Sequence, residues 1–362
     1  MIYGAPADLV ARAIETGDSL SGTAGFAGEL PDGRLVRDVL GRNPLFVDAE
    51  TDQWSDRPQD LDDPVRLPPG TVYADGVTET VWSLPDPDPR SDEAALVEDL
   101  RAAIEQSLSD VDSSGLAVAF SGGVDSAVVA SGVDAPRYVV GVEGCRDVDA
   151  ARDAAREMSR DRDLRVCEIT PADIEAAVPR VARAIDRTNA MDVSIALSLY
   201  LVGERAAADG YDRLAVGQGA DELFGGYAKI AGAPGDDRVA ADTVRGARRE
   251  MVLTLPNQLE RDVLALRAAG VEPVAPLLYD RVVRVALQLP GPLLVSESGE
   301  RKVAFRRAAR SFVPKSVATR GKTAVQYGSL VSRELDRLAR QAGFKRRMDD
   351  HVTRYVESRL DE

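Results

Sequence analysis

Between residues 91 and 109 the apolar positions Leu96, Leu100, Ile104 and Leu108 recur every fourth residue, the spacing of one helix face. Ser91 is placed to cap that helix, and Glu93 falls in its first turn, where negative charge suits the dipole. The pattern then changes. Leu116-Ala117-Val118-Ala119-Phe120 is an unbroken apolar run of strand length, and Ala127-Val128-Val129-Ala130-Ser131 resumes a helix. A strand over 137–142, a helix over 148–158 and a strand over 164–169 follow. Thr170 and Asp173 have capping-box spacing, with Pro171 at the first helical position. A longer helix runs from Val193 to about 209 and stops at Gly210, before a short strand over 213–216. This alternation predicts an α/β fold built on a doubly wound parallel sheet. Ligands of such sheets bind outside the carboxyl ends of the strands.

The flanks read differently. Residues 1–84 are turn-rich, with strand-like pieces such as Gly33-Arg34-Leu35-Val36 and Leu45-Phe46-Val47 between Asp, Pro and Gly clusters. They predict a small β-rich domain. Pro85-Asp86-Pro87-Asp88-Pro89 predicts a stiff, extended linker over 85–90. The sheet domain is expected over 91–345. From 221 onward it reads as a mostly helical extension, broken at Pro256, Pro273, Pro276, Pro290 and Pro314. Arg306-Arg307 and Lys345-Arg346-Arg347 read as solvated helix faces, and 346–362 as a C-terminal tail.

The length of 362 residues suits two domains, and 44% hydrophobic residues suffices for sizeable cores. No apolar run has spanning length, and the N-terminus lacks the pattern of a signal peptide. Cys145 and Cys167 are too few for a disulfide framework or a metal cluster, which predicts a cytoplasmic protein. A net charge of −15 argues against nucleic acid as a partner. Five lysines stand against 40 arginines. An acidic, lysine-poor surface suits a halophilic cytoplasm, although a GC-rich genome would also favour arginine over lysine.

Candidate chemistry begins where the apolar run 116–120 ends, in Ser121-Gly122-Gly123-Val124-Asp125-Ser126. A glycine-rich turn between strand and helix presents backbone N–H groups and a helix N-terminus to an anion. It lacks the spacing and the lysine of a Walker A loop. Asp125 would repel phosphates unless a cation lay between them, which implies Mg²⁺. The hexapeptide resembles the S-G-G-x-D-S signature of the PP-loop ATP pyrophosphatases, which split ATP into AMP and pyrophosphate.

A second glycine-rich segment follows the strand over 213–216: Gly217-Gln218-Gly219-Ala220-Asp221-Glu222-Leu223-Phe224-Gly225-Gly226-Tyr227. The two segments together resemble the asparagine synthetase family. Three later blocks extend the resemblance over about 91–330: Gly270-Val271-Glu272 with Ala275-Pro276-Leu277-Leu278, Gly299-Glu300-Arg301-Lys302 with Phe305-Arg306, and Val313-Pro314-Lys315 with Arg320-Gly321-Lys322. The stretch from Asp32 to Leu45 and the turn Pro68-Pro69-Gly70 resemble parts of the family's glutaminase domain, so 1–84 reads as a degenerate, Ntn-hydrolase-like remnant.

Two departures matter. The family's glutaminase uses an N-terminal cysteine, whereas position 2 is Ile2 and no cysteine precedes Cys145. The family's carboxylate base for the incoming amine is replaced by Gln218, which takes no proton at ordinary pH. Val216 and Val274 also stand where the family has serine and arginine.

The resemblance implies an adenine-nucleotide-binding, Rossmann-like domain and an ATP-dependent, AMP-forming amide ligase without glutaminase activity. Its substrates would be a small carboxylic acid, aspartate by default, and ammonia or another amine. Ser121, Gly122, Gly123, Asp125 and Ser126 would cradle the pyrophosphate portion of ATP, and Asp125 and Asp221 would hold Mg²⁺. Phe120, Val140, Gly141 and Val142 would line the adenine pocket. Gly217 would admit the nucleotide, Lys302 would stabilise charge in the reaction, and Lys322, supported by Arg320, would contact the departing pyrophosphate. His351 lies outside every matched block. The alternative is a catalytically reduced ATP-binding or interaction protein of the same family. A homodimer and a separate ammonia-supplying partner both remain open.

Overall fold

The computed structural model describes residues 1–141, 145–231, 241–321 and 326–360. Its centre is a five-stranded, wholly parallel sheet in the order Leu164–Glu168, Arg137–Gly141, Leu116–Ala119, Arg213–Ala215, Glu272–Val274. Helices cross between successive strands, among them Val124–Gly132, Arg146–Glu157, Ala190–Ala208 and Leu255–Ala268. The first strand in the chain has the second on one side and the fourth on the other. Sheet progression reverses there, and connections leaving that point in opposite directions open a crevice at the strands' carboxyl ends.

The predicted elements of the sheet domain recur with local differences. Asp92, not Ser91, caps the helix Glu93–Ser109 by accepting from the Ala95 N–H. The long helix starts earlier than 193, at Ala190, because Asn189 caps it through the Asp192 N–H. Pro273 lies within an unforeseen strand, Glu272–Val274; the strand is at the sheet edge, where a missing N–H leaves no neighbour unpaired. Thr170 and Asp173 do form a capping box.

Residues 1–80 form two antiparallel sheets. One has the order Ile2–Tyr3, Ala27–Glu29, Leu35–Arg37, Thr71–Ala74, Val77–Thr80; the other has Phe46–Asp48 between Trp54–Ser55 and Pro64–Arg66. A helix, Ala7–Thr16, was not expected among these strands; it buries Val10 and Ala13. This unit is firmly joined to the rest. One apolar cluster runs from Val10, Phe26 and Trp82 through Leu96 and Leu100 to Phe305. Residues 85–90 have no regular structure, and Arg249 donates to the Leu84 and Pro85 carbonyls beside them, both at 2.8 Å.

Buried ions reinforce this seam. Arg42 pairs with Asp38 at 2.9 Å and with Asp280 at 2.8 Å. Asp280 also accepts from the Gly22 and Thr23 N–H groups and the Thr23 hydroxyl. Arg306 is likewise buried, contrary to its reading as part of a solvated basic face. It donates to the carbonyls of Arg301, Ala318 and Arg320, which few short side chains could reach. The last residues carry a helix, His351–Ser358, with Tyr355 and Val356 buried. No helix among the described residues is long and apolar enough to cross a membrane.

Candidate active site

Strand Leu116–Ala119 delivers the Ser121–Ser126 loop to the crevice. Gly122 has φ +72, and a side chain there would lie 2.5 Å from the Ala150 carbonyl oxygen, so the loop can rest on the helix Arg146–Glu157 only with glycine. The loop is laced by its own hydroxyls. The Ser121 N–H donates to Ser126 Oγ at 3.2 Å, the Gly123 N–H to Ser121 Oγ at 3.4 Å, and the Ser126 hydroxyl to the Gly123 carbonyl at 3.1 Å. Gly123 begins the helix Val124–Gly132 without a side-chain cap. The first-turn N–H groups therefore have no capping oxygen, the state in which a helix terminus takes an anion.

The second glycine-rich segment faces this loop from the end of strand Arg213–Ala215. A side chain at Gly217 would approach the Asp125 backbone and Cβ and the Ser126 nitrogen to 3.0 Å. This glycine admits the neighbouring loop, and it also lines the cleft. Asp221 lies in the helix Ala220–Phe224.

Lys302 joins the two segments. Its Nζ lies 2.8 and 2.7 Å from the two Asp125 carboxylate oxygens and 2.8 Å from Asp221 Oδ1. Burial alone would lower the ammonium's pKa, but Asp125 and Asp221 outweigh it and hold the pKa above its ordinary value, so the lysine stays charged. Lys302 has φ +60, a conformation that costs a non-glycine residue energy and gathers at functional sites. Gly226 clears the space around the triad, since a Cβ there would sit 1.8 Å from Asp221 Oδ1 and 2.4 Å from Lys302 Cε.

A cleft of about 550 Å³ opens above these groups. Phe120, Ser121, Asp125, Ser126 and Val140 line one side, and Gly217, Gln218 and Asp221 the other. Ile195, Leu199 and Val202 form an apolar wall from the helix Ala190–Ala208. Gly122 and Gly123 shape the loop, and Gly141 ends its strand against Val148. Lys302 lies beneath the cleft. Arg320 is not among the lining residues; it donates to the Ala150 carbonyl at 2.9 Å and to Glu157 at 2.8 Å. Val142 and Lys322 lie outside the described residues.

The lining residues that the sequence did not point to include four polar ones that meet around Gln218 and Asp221: Glu222, Tyr227, Arg261 and Asp262. Burial pushes the Glu222 carboxyl up, and the Tyr227 hydroxyl donates to it. Asp262 accepts from the Gln218 amide at 2.6 Å and from Arg261 Nε at 2.7 Å. A signal for Asp262 was present. It stands three residues after Leu259 and seven after Leu255, a charge on the apolar stripe of its helix. Gln218 and Leu259 also line a second cavity, of about 510 Å³, reached from Tyr3, Gly25 and Asn43 of the N-terminal unit.

A parallel α/β sheet with an anion-receptive loop at its switch point defines a nucleotide-binding class of protein. The family model described as asparagine synthase matches residues 95–245 and 235–358, and the chain belongs to that family. A Methanocaldococcus jannaschii protein, provisionally named asparagine synthetase (glutamine-hydrolysing) 1, is 30% identical over 64% of this chain and 49% of its own. Escherichia coli asparagine synthetase B (glutamine-hydrolysing) is 25% identical over 62% of this chain and 43% of its own. For the maize asparagine synthetase (glutamine-hydrolysing) the identity is 25%, over 70% and 47%. The chain thus spans about half the length of these relatives. A solved U34-tRNA thiolase from Methanococcus maripaludis overlaps 75% of this chain at 13% identity, with a TM-score of 0.25, too loose a superposition to carry an argument.

Proposed function

We propose that the protein is an AMP-forming amide ligase. It adenylates a small carboxylic acid with ATP and passes the acyl group to ammonia or another amine. The observation that carries this reading is the Asp125–Lys302–Asp221 bridge beneath an uncapped helix N-terminus, in a family whose members are named asparagine synthetases. Phosphoryl and acyl transfer ask little covalent work of a protein; positioning and charge neutralisation dominate.

The uncapped turn and the hydroxyls of Ser121 and Ser126 supply donors for the pyrophosphate portion of ATP. Phe120 and Val140 give the base an apolar seat. Lys302 neutralises the carboxylate pair, so phosphates can approach without meeting two bare negative charges. Asp125 and Asp221 are hard oxygen donors brought to one side of the cleft floor by Lys302, a donor type that suits magnesium, which commonly takes one or two carboxylates with phosphate oxygens. Bound there, magnesium would neutralise phosphate charge.

The N-terminal unit is read as an Ntn-type remnant inactive toward glutamine. Residues 1–84 hold no cysteine, and Ile2 is committed to backbone pairing with Gly28. The free thiols of Cys145 and Cys167 suit a cytoplasmic setting. Gln218 favours the second reading, an ATP-binding protein without transfer chemistry. ATP–pyrophosphate exchange across a panel of acids, beginning with aspartate, separates the two. Acid-dependent exchange supports the ligase; ATP binding with no exchange for any acid supports the second reading.

A further inference from the structure

Transfer of an acyl group from AMP to an amine leaves a proton to be removed from nitrogen. Gln218 cannot accept it. We infer that Asp262 is the proton acceptor for the amine, held in place by Gln218 and Arg261. The inference rests on the ligase reading above.

Asp262 lines the cleft, on the helix Leu255–Ala268 that closes it opposite the Ser121–Ser126 loop. Its carboxylate is oriented from both sides: Oδ2 accepts from the Gln218 amide at 2.6 Å, and Oδ1 from Arg261 Nε at 2.7 Å. Each oxygen keeps a second lone pair. Arg261 is itself fixed by Asp192 at 2.9 Å, and Asp192 by Arg187 at 3.2 Å. Burial pushes the Asp262 carboxyl up, Arg261 and the Gln218 amide pull it back, and the Asp192 charge adds to the rise. Tyr227, also on the cleft, is held above its ordinary pKa chiefly by burial and Glu222, with the Asp262 charge adding to the rise. A cleft carboxylate oriented through both oxygens and made more basic by burial is suited to general-base work.

The step balances without a further reactant. The lone pair of the neutral amine attacks the acyl carbon and the C–N bond forms. The bond from that carbon to the AMP oxygen breaks, AMP leaves with its electron pair, and the nitrogen proton passes to an Asp262 oxygen. Gln218 is a positioning residue: it cannot move the proton, but its N–H aims the carboxylate.

The test takes the full chain and the acid most active in ATP–pyrophosphate exchange, from a panel of aspartate, glutamate and straight-chain monocarboxylates. Amide formed is measured per pyrophosphate released, with ammonium and hydroxylamine as amines. Asp262→Asn keeps size and a partner for Arg261, and the ratio with ammonium is expected to fall about 100-fold. Hydroxylamine, far less basic, loses less. At a fixed concentration of free ammonia, the native ratio declines with acid along a single protonation, and Asp262→Glu restores part of the ratio with a displaced midpoint. A ratio in Asp262→Asn equal to native overturns the assignment, and so does an Asp262→Glu profile superimposable on native. If Asp262→Asn does not fold, the Asp262→Glu profile decides alone. No pyrophosphate from the native chain with any acid instead overturns the ligase reading, and this role with it.

Discussion

One ammonium, Lys302 Nζ, holds Asp125 and Asp221 at the floor of the cleft; Gly226 makes room for it and for Asp221, and Gly217 for Asp125. At Gly226 the tolerance is smallest. Gly226→Ala would drive a methyl group into Asp221 and Lys302, so acid-dependent pyrophosphate release should fall by about 100-fold, the usual penalty for displacing reacting groups by an ångström. A turnover assay on the purified variant checks this; near-native release would mean that the triad is not part of the machinery. Asp125→Asn keeps the shape but halves the charge facing Lys302. A comparable loss is expected, with a melting temperature close to native because the group is partly solvated. Gln218→Glu would place two carboxyls at hydrogen-bond distance, where they share a proton and the pair's pKa rises. The variant should therefore yield less amide per pyrophosphate near neutral pH, with its profile displaced to higher pH. A yield above native would assign the base to position 218 instead.

Among the elements, those with a strong local signal were legible and those fixed by distant partners were not. The stripe Leu96-Leu100-Ile104-Leu108 is buried throughout, and the capping box at Thr170 formed as its spacing required. The strand Glu272–Val274 was hidden because Pro273 reads locally as a break, while pairing with Arg213–Ala215 makes it a sheet edge. Asp48 shows how a loop element is held. Its carboxylate accepts from the backbone N–H of Asp63, from the Thr51 hydroxyl, and from the N–H groups of Glu50, Thr51 and Asp62. These bonds, the one from Asp63 foremost, lower its pKa from 3.8 to about 2. A pKa depressed in the folded state contributes stability that is complete above the unfolded value and lost as pH falls through the folded one. Hydrogen exchange over 46–66 should therefore accelerate between these two values, and Asp48→Asn should abolish that acid limb. An unchanged limb in the variant would show that other carboxylates govern it.

In the whole molecule, the apolar cluster and the Asp38–Arg42–Asp280 network run through the boundary that composition places at 85–90. Residues 85–90 have no regular structure, and nothing local to them could report that Arg249 and Asp280 tie the flanking units together. Removing one partner of a buried, hydrogen-bonded ion group strands the others. Asp280→Ala should accordingly cost about 3–5 kcal/mol in denaturant unfolding. The loss should appear in a single transition monitored over both units, since they share a core; two separated transitions would contradict that.

The site was legible wherever chemistry sits in short glycine-bounded segments. Ser121–Ser126, Gly217–Asp221 and Lys302 do meet, although Lys302 is 177 residues from Asp125 in the chain. Asp262 was not found because its partner Gln218 lies 44 residues away and a charged run such as Glu260-Arg261-Asp262 usually signals a solvated helix face. The account as a whole turns on where ATP is cut. Incubating the protein with α-labelled ATP, magnesium, ammonium and the acid panel, and resolving the products, tests it most directly. The account predicts AMP and pyrophosphate in equal amounts, formed only when an acid is present. ADP and phosphate, or no acid-dependent cleavage by a protein that still binds ATP, would contradict it.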